Sequence, residues 1–235
     1  MLSAAVVCFP PAGAGAGFFH SWLGQREGLT VLPVELPGRE KRYSEPECTE
    51  LGALMDTILP ELRSATAAFD EVAVFGHSFG GLLAYEATRV LAAERDGLTL
   101  VVSGATWPGA QRRGRITGLG DEEFIAGVQS IAGYHHPALD EPELRDLVLP
   151  PLRTDVAMHE GYVYRAHEPL DVPVLAVRGD ADDLVSAADL AEWQRVTSGP
   201  LTVAELTGAH MYLVEEWPAL LDLIAGRLST ARASS

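Results

Sequence analysis

The sequence predicts an α/β fold, a mostly parallel sheet flanked by helices and interrupted by one helical insertion. Three observations lead there. Short β-branched runs alternate with longer helical patterns, the order that builds a parallel sheet through helical crossovers. Most of these runs are unbroken apolar stretches rather than alternating ones, as strands buried on both faces require. A glycine-flanked serine stands between one such run and an apolar helix, at Gly76-His77-Ser78-Phe79-Gly80-Gly81.

The elements follow in order. The first strand, Ala4–Phe9, reads AAVVCF and ends at Pro10-Pro11, which cannot extend a central strand. Cys8 lies within it and reads as a small buried strand residue rather than a reactive thiol. A helical pattern at 18–26 and a strand at 30–36 come next, then a helix at 49–67. A strand at 71–75 runs into the serine turn and a helix at 79–95. The fourth strand is Leu98–Ser103. Further strands are expected at 172–178 and Leu201–Leu206, with helices at 187–197 and 212–228. The tail 229–235 is small and polar and is expected to fray.

Between the fourth and fifth strands the alternation stops. Residues from about 109 to 169 contain no convincing strand, only helical patterns at 122–132 and 142–164. An insertion this long in a compact α/β unit is usually a lid or a binding element. A length of 235 residues equals about 1.6 average domains, so the reading is one domain, 1–235, with a lid at about 109–169.

Composition narrows the function. With 17 Lys+Arg against 33 Asp+Glu the net charge is −16, and only Lys41 among the basic residues is a lysine. Phosphate-backbone binding depends on Lys and Arg releasing counterions, and anionic membranes repel acidic surfaces. Neither nucleic acid nor membrane is therefore an expected partner. The two cysteines, Cys8 and Cys48, form no CxxC pair and no disulfide framework. The N-terminus has no basic n-region, and no run approaches the roughly 18 apolar residues of a span. The expected location is cytoplasmic and the expected state a monomer.

The serine carries the chemistry. A strand running straight into Gly-His-Ser-Phe-Gly and then a helix is the arrangement that exposes a hydroxyl at a nucleophile elbow. A serine needs a base, and the base an orienting acid. In elbow enzymes the chain order is serine, acid, histidine, so the base should follow the last strand. His210, in Gly208-Ala209-His210, stands there. Of the other histidines, His77 is inside the elbow, His20 precedes the serine, and His135, His136, His159 and His167 lie in or beside the insertion. The acid should follow the fifth strand, where Gly179-Asp180-Ala181-Asp182-Asp183 offers three aspartates; the loop after the fourth strand offers none. Asp180 follows the glycine so closely that it reads as a turn cap. Asp182 is the first choice and Asp183 the fallback. An oxyanion hole would pair the Phe79 N–H with one from an early loop, and the side-chain-poor stretch Phe9-Pro10-Pro11-Ala12-Gly13-Ala14-Gly15 is suited to close backbone approach. That stretch lacks both the P-loop ending and the full GxGxxG spacing.

These residues, with Leu36-Pro37-Gly38-Arg39-Glu40 and Arg42, and Val102-Ser103-Gly104 with Pro108, run in order from about residue 5 to 225. In this the chain resembles the stand-alone (type II) thioesterases of polyketide and nonribosomal peptide assembly lines. Pro-Gly-Arg-Glu is the most discriminating segment, because general esterases of this fold do not usually carry it. The resemblance implies an α/β-hydrolase that cleaves acyl thioesters from the phosphopantetheine arm of a carrier protein and edits stalled or misprimed groups. It maps the nucleophile onto Ser78, the base onto His210, the acid onto Asp182 and the oxyanion donors onto the Ala12 and Phe79 amides. It implies no cofactor, and no ligand set with metal spacing accompanies the histidines.

The sequence departs from the family pattern at several places. Gly13-Ala14-Gly15 separates glycines that are usually adjacent, Asp183 replaces a common proline, and Met211 replaces a common aromatic. The stretch Gly133-Tyr134-His135-His136-Pro137 is bulkier and more polar than expected, which would narrow an acyl chamber or set a donor against its occupant, unless the histidines are solvated. Two local basic clusters stand at Arg39-Glu40-Lys41-Arg42 and Arg112-Arg113-Gly114-Arg115; the second begins the insertion and would contact an acidic carrier or the pantetheine phosphate, unless it is a solvated surface run.

Overall fold

Strand β1 (Ala4–Phe9) is the pivot of the sheet. It pairs in parallel with β2 (Leu29–Pro33) on one side and with β3 (Glu71–His77) on the other. The computed structural model describes residues 4–110, 114–132 and 139–233. Beyond β3 lie β4 (Leu98–Ser103), β5 (Val174–Gly179) and β6 (Leu201–Leu206), all parallel, giving the order β2-β1-β3-β4-β5-β6. Because every strand points the same way, the loops that follow β1, β3, β5 and β6 emerge along one edge. The chain reverses its direction of travel across the sheet between β1 and β3, and the crevice beyond such a switch point is where open α/β sheets bind ligands.

Alternate side chains of each central strand feed two cores. Val7, Val74, Leu100 and Val174 face helices α1 (Leu51–Thr66), α2 (Phe79–Leu91) and α5 (Ala187–Ala191). Val6, Ala73, Phe75, Val101 and Leu175 face α6 (Trp217–Ala233) and the Phe19–Trp22 pair. Burial on both faces explains why these strands read as solid apolar runs. The two edge strands are the exceptions: β6 intersperses partly buried and exposed positions, and β2 exposes Thr30.

Between β4 and β5 the described residues form no strand. They form α3 (Asp121–Ala132) and α4 (Pro142–Gly161), with a proline at the first helical position of α4, where a missing N–H costs nothing. The inserted segment has a small core of its own, Phe124, Ile125, Leu139, Leu149 and Leu152, which also meets Ala12 of the loop after β1.

Several boundaries differ from the sequence reading. The α-helix expected at 18–26 is a 3-10 segment, Ala16–Trp22; glycines at 15, 17 and 24 weaken it, and Gly24 turns left-handed at φ 70° to stop it. The helix expected at 187–197 divides into α5 and a 3-10 segment, Glu192–Val196. The last helix begins at Trp217, with Pro218 pre-set for its first turn, and runs to Ala233, into the stretch read as a tail.

Candidate active site

The elbow is built by β3 and α2. Ser78 is one of two described non-glycine residues with positive φ (54°, ψ −117°) and directly precedes α2. Its N–H donates to the Ser103 carbonyl at 2.8 Å, and its own carbonyl accepts from Gly81 at 2.9 Å. The flanking glycines are obligatory. A Cβ on Gly76 would lie 1.8 Å from the Gly80 carbonyl oxygen, and one on Gly80 would lie 2.4 Å from the Phe9 carbonyl oxygen. The second contact brings the elbow against the end of β1, and so against the loop that follows it.

That loop turns at Pro11–Ala14, where the Ala14 N–H donates to the Pro11 carbonyl at 3.1 Å and Gly13 takes φ 77°. A positive φ at the third residue of such a turn is what glycine permits. Neither the Ala12 nor the Phe79 amide N–H has an acceptor among the described residues. Phe79 is the first residue of α2, whose N-terminus carries partial positive charge.

The ends of β5 and β6 bring the remaining groups together. A Cβ on Gly179 would lie 2.1 Å from the Gly208 carbonyl oxygen, so the two loops run in backbone contact. Asp180 Oδ1 accepts the Gly208 N–H at 2.9 Å, pinning the histidine loop. His210 Nδ1 is 2.9 Å from Asp182 Oδ2, both residues being buried. Asp182 Oδ1 accepts the Leu184 and Val185 amides at 2.8 and 3.2 Å. Burial works to raise the Asp182 carboxyl pKa, but the His210 hydrogen bond and charge, with the two amides, outweigh it and hold the group below the ordinary carboxylate value. Asp183 is exposed. Of the three aspartates, then, the structure pairs Asp182 with His210 and gives Asp180 the turn-bracing position.

Ser78, Phe79, Ala12 and His210 all line one cavity of about 870 Å³, whose walls include Trp107, Leu152, Val156 and His159. No hydrogen bond joins the Ser78 hydroxyl to His210 in this structure; such contacts often tighten only when substrate is bound. His159 is at the chamber wall, with its ring 5.8 Å from that of Phe79. His167 bonds the hydroxyl of Tyr85 on α2, and His20 is exposed on the 3-10 segment. His135 and His136 lie outside the described residues, as do Arg112 and Arg113. Among the described residues no cluster of His, Cys, Asp and Glu could hold a metal ion, and no helix is long and apolar enough to cross a membrane.

Two groups of residues at the site carry no role in the sequence reading. Beneath His210, the buried His77 ring bonds Ser103 Oγ at 2.9 Å, and that hydroxyl meets the Tyr212 hydroxyl at 2.6 Å. Around the loop after β1, Arg39 forms a two-pronged pair with Asp155 of α4, at 2.7 and 2.9 Å, and bonds the Ala14 carbonyl at 3.0 Å. Glu40, the second positive-φ residue at 46°, accepts the Gly17 N–H. The first basic cluster is therefore not a free cationic patch. Arg39 is buried against Asp155, Arg42 is held by Glu45 and Glu61, and Lys41 reaches Glu35. The Pro-Gly-Arg-Glu motif pointed to this region, but nothing near Asp155 in sequence marks it as the partner.

A family model described as thioesterase domain matches residues 4–228. Thioesterase PikA5 of Streptomyces venezuelae is 33% identical over 236 residues, covering 97% of this chain and 82% of that protein. The probable cadicidin biosynthesis thioesterase of Streptomyces griseus is 30% identical, and the chain spans 63% of its length. Among solved structures, the type II thioesterase BorB from the borrelidin biosynthetic cluster superposes with a TM-score of 0.85 at 34% identity, covering 96% of this chain and 93% of that one.

Proposed function

The chain belongs to the thioesterase domain family, and from that premise we propose that it hydrolyses acyl thioesters held on the phosphopantetheine arm of a carrier protein, by way of an acyl-serine at Ser78. In this reading the chain is one α/β-hydrolase domain, residues 1–235, and 109–169 is its lid. Its role in a polyketide or nonribosomal peptide assembly line is editing, the removal of stalled or misprimed acyl groups. One observation carries the proposal: a strained serine, a carboxylate-bonded histidine and two unspent amides border a single cavity.

Each step draws on a group already described. His210 takes the Ser78 proton as the hydroxyl attacks the thioester carbonyl, while Asp182 fixes the imidazole tautomer and stabilises the imidazolium. The developing oxyanion is held by the Ala12 and Phe79 amides. The pantetheine sulfur leaves with the proton from His210. Water then enters, gives its proton to the same histidine and attacks the acyl-serine, releasing a free acid and restoring Ser78. Losing one oxyanion donor in such a site typically costs about 10²–10³-fold in rate, so loop geometry weighs as heavily as the triad.

With a net charge of −16 and the first basic cluster neutralised internally, long-range attraction to an acidic carrier is weak, and docking rests on local contacts. The test compares one acyl group on a carrier protein, on coenzyme A and on a simple oxygen ester. The highest kcat/KM is expected on the carrier; a strong preference for the simple ester would favour a general carboxylesterase instead.

A further inference from the structure

We propose that Asp155 is a positioning residue for the oxyanion loop, and that through it the seating of lid helix α4 sets the geometry of the Ala12 amide. The proposal rests on the reading that this amide holds the oxyanion. Asp155 Oδ2 accepts the Gly13 N–H at 2.8 Å while both carboxylate oxygens receive the Arg39 fork. The acceptor therefore sits one residue from the catalytic amide, on Gly13, which has no side chain to restrain it and takes φ 77°. Arg39 closes the loop from the other side through the Ala14 carbonyl at 3.0 Å. The Asp155 and Arg39 side chains are only 1% and 9% exposed, so water does not compete for these bonds.

The helix and the loop are in direct contact as well as bonded. A Cβ at Gly13 would lie 2.9 Å from the Leu152 Cβ, and Leu152 and Asp155 share a face of α4 by their spacing of three. The same helix lines the cavity with Leu152, Val156 and His159. The chamber's occupant and the oxyanion loop thus share one support, and a displacement of α4 reaches the Ala12 amide through Gly13. Burial pushes the Asp155 carboxyl up from its ordinary value, and Arg39 and the Gly13 N–H pull it part of the way back, so the pair needs its full set of bonds to keep the charge buried.

The experiment uses the full chain, with rates expressed per active site titrated by a fluorophosphonate. Asp155→Asn keeps a side-chain acceptor but turns an NH₂ toward Arg39; Arg39→Lys keeps the charge but loses the fork. Both are expected to lower kcat on a short p-nitrophenyl ester and on an acyl-coenzyme A by about tenfold or more with KM within about twofold, and to weaken a trifluoromethyl ketone inhibitor by a similar factor. Arg63→Ala, which breaks the exposed pair between α1 and Glu94 and leaves α4 untouched, is expected to leave kcat within about twofold of wild type. Wild-type kcat in both Asp155→Asn and Arg39→Lys would overturn the proposal. So would an equal loss in Arg63→Ala, or a loss confined to KM or to the titratable fraction. If Asp155→Asn fails to fold, Arg39→Lys carries the same comparison. Full activity in Ser78→Ala would instead sink the reading of the site itself, so the two failures are distinguishable.

Discussion

The imidazole rings of His77 and His210 lie 4.9 Å apart, centroid to centroid, tilted by 48°. His77 is fully buried, is tethered at Nδ1 by Ser103 and has no partner at Nε2 among the described residues. Burial, followed by the nearness of His210, pushes its pKa well below the ordinary histidine value. A neutral ring in this position matters for the proposed cycle, because His210 must accept a proton from Ser78. A second positive charge at this distance would oppose that step.

A pH dependence of stability follows, with a definite sign. The unfolded chain protonates His77 near pH 6.5, whereas the folded chain keeps it neutral to a much lower pH. The unfolded state therefore binds more protons below pH 6.5, and stability falls as the pH drops through that range. One such group contributes a loss on the order of 1 kcal/mol by pH 5.5. Urea unfolding of wild type and His77→Gln at pH 7.5 and 5.5 measures it. The variant should lose less stability on acidification; an identical slope would show that His77 is not the group responsible.

Asp182 titrates in a different window. Its folded pKa is depressed, so its stabilising contribution is present above the unfolded value of about 3.9 and is lost only as pH falls through the still lower folded value. Acid loss of activity between pH 7 and 5 should therefore not come from this carboxylate. Asp182→Asn is expected to lower kcat by roughly 10³–10⁴-fold by stabilising the wrong histidine tautomer. Asp183→Asn, at an exposed position, should change kcat by less than about twofold. Steady-state kinetics on one thioester decides; the reverse ranking would reassign the acid.

The elbow backbone sets a third expectation. A methyl group on Gly80 would meet the Phe9 and Pro10 carbonyl oxygens at 2.4 and 2.6 Å, and backbone cannot retreat as a side chain can. Gly80→Ala should therefore destabilise the fold by about 1–3 kcal/mol and separate the elbow from the loop that follows β1. Thermal unfolding together with kcat checks this. An unchanged Tm with full activity would mean that the close approach of β1 and α2 is not needed.

How far the site was legible depended on how locally its constraints are written. The elbow is readable because strand, glycines, serine and helix all fall within 71–91, and each enforces the others through backbone contact. The histidine loop is readable from its place after the last strand. The choice between Asp182 and Asp183 is not fixed by spacing, since both fit the loop; it is decided by the turn that buries one residue and exposes the next. Arg39 and Asp155 are legible only in three dimensions. The arginine reads as one member of a basic cluster, and its partner lies 116 positions away on a helix with no local signature. The 3-10 segment Ala16–Trp22 was misread for a related reason: its aromatic residues suggest a helix, while the surrounding glycines and the packing of Phe19 and Trp22 under β1 and β3 select a tighter turn.

In the proposed mechanism the thioester is cleaved through a covalent acyl-serine at Ser78. The most direct measurement treats wild type and Ser78→Ala with a fluorophosphonate, maps the adduct by peptide mass spectrometry, and assays both proteins on the same acyl-carrier substrate. Wild type should carry one adduct, on the peptide containing Ser78, and lose its activity in step with labelling. Ser78→Ala should take no label there and fall to the background rate of hydrolysis. Undiminished turnover in Ser78→Ala would contradict the mechanism outright.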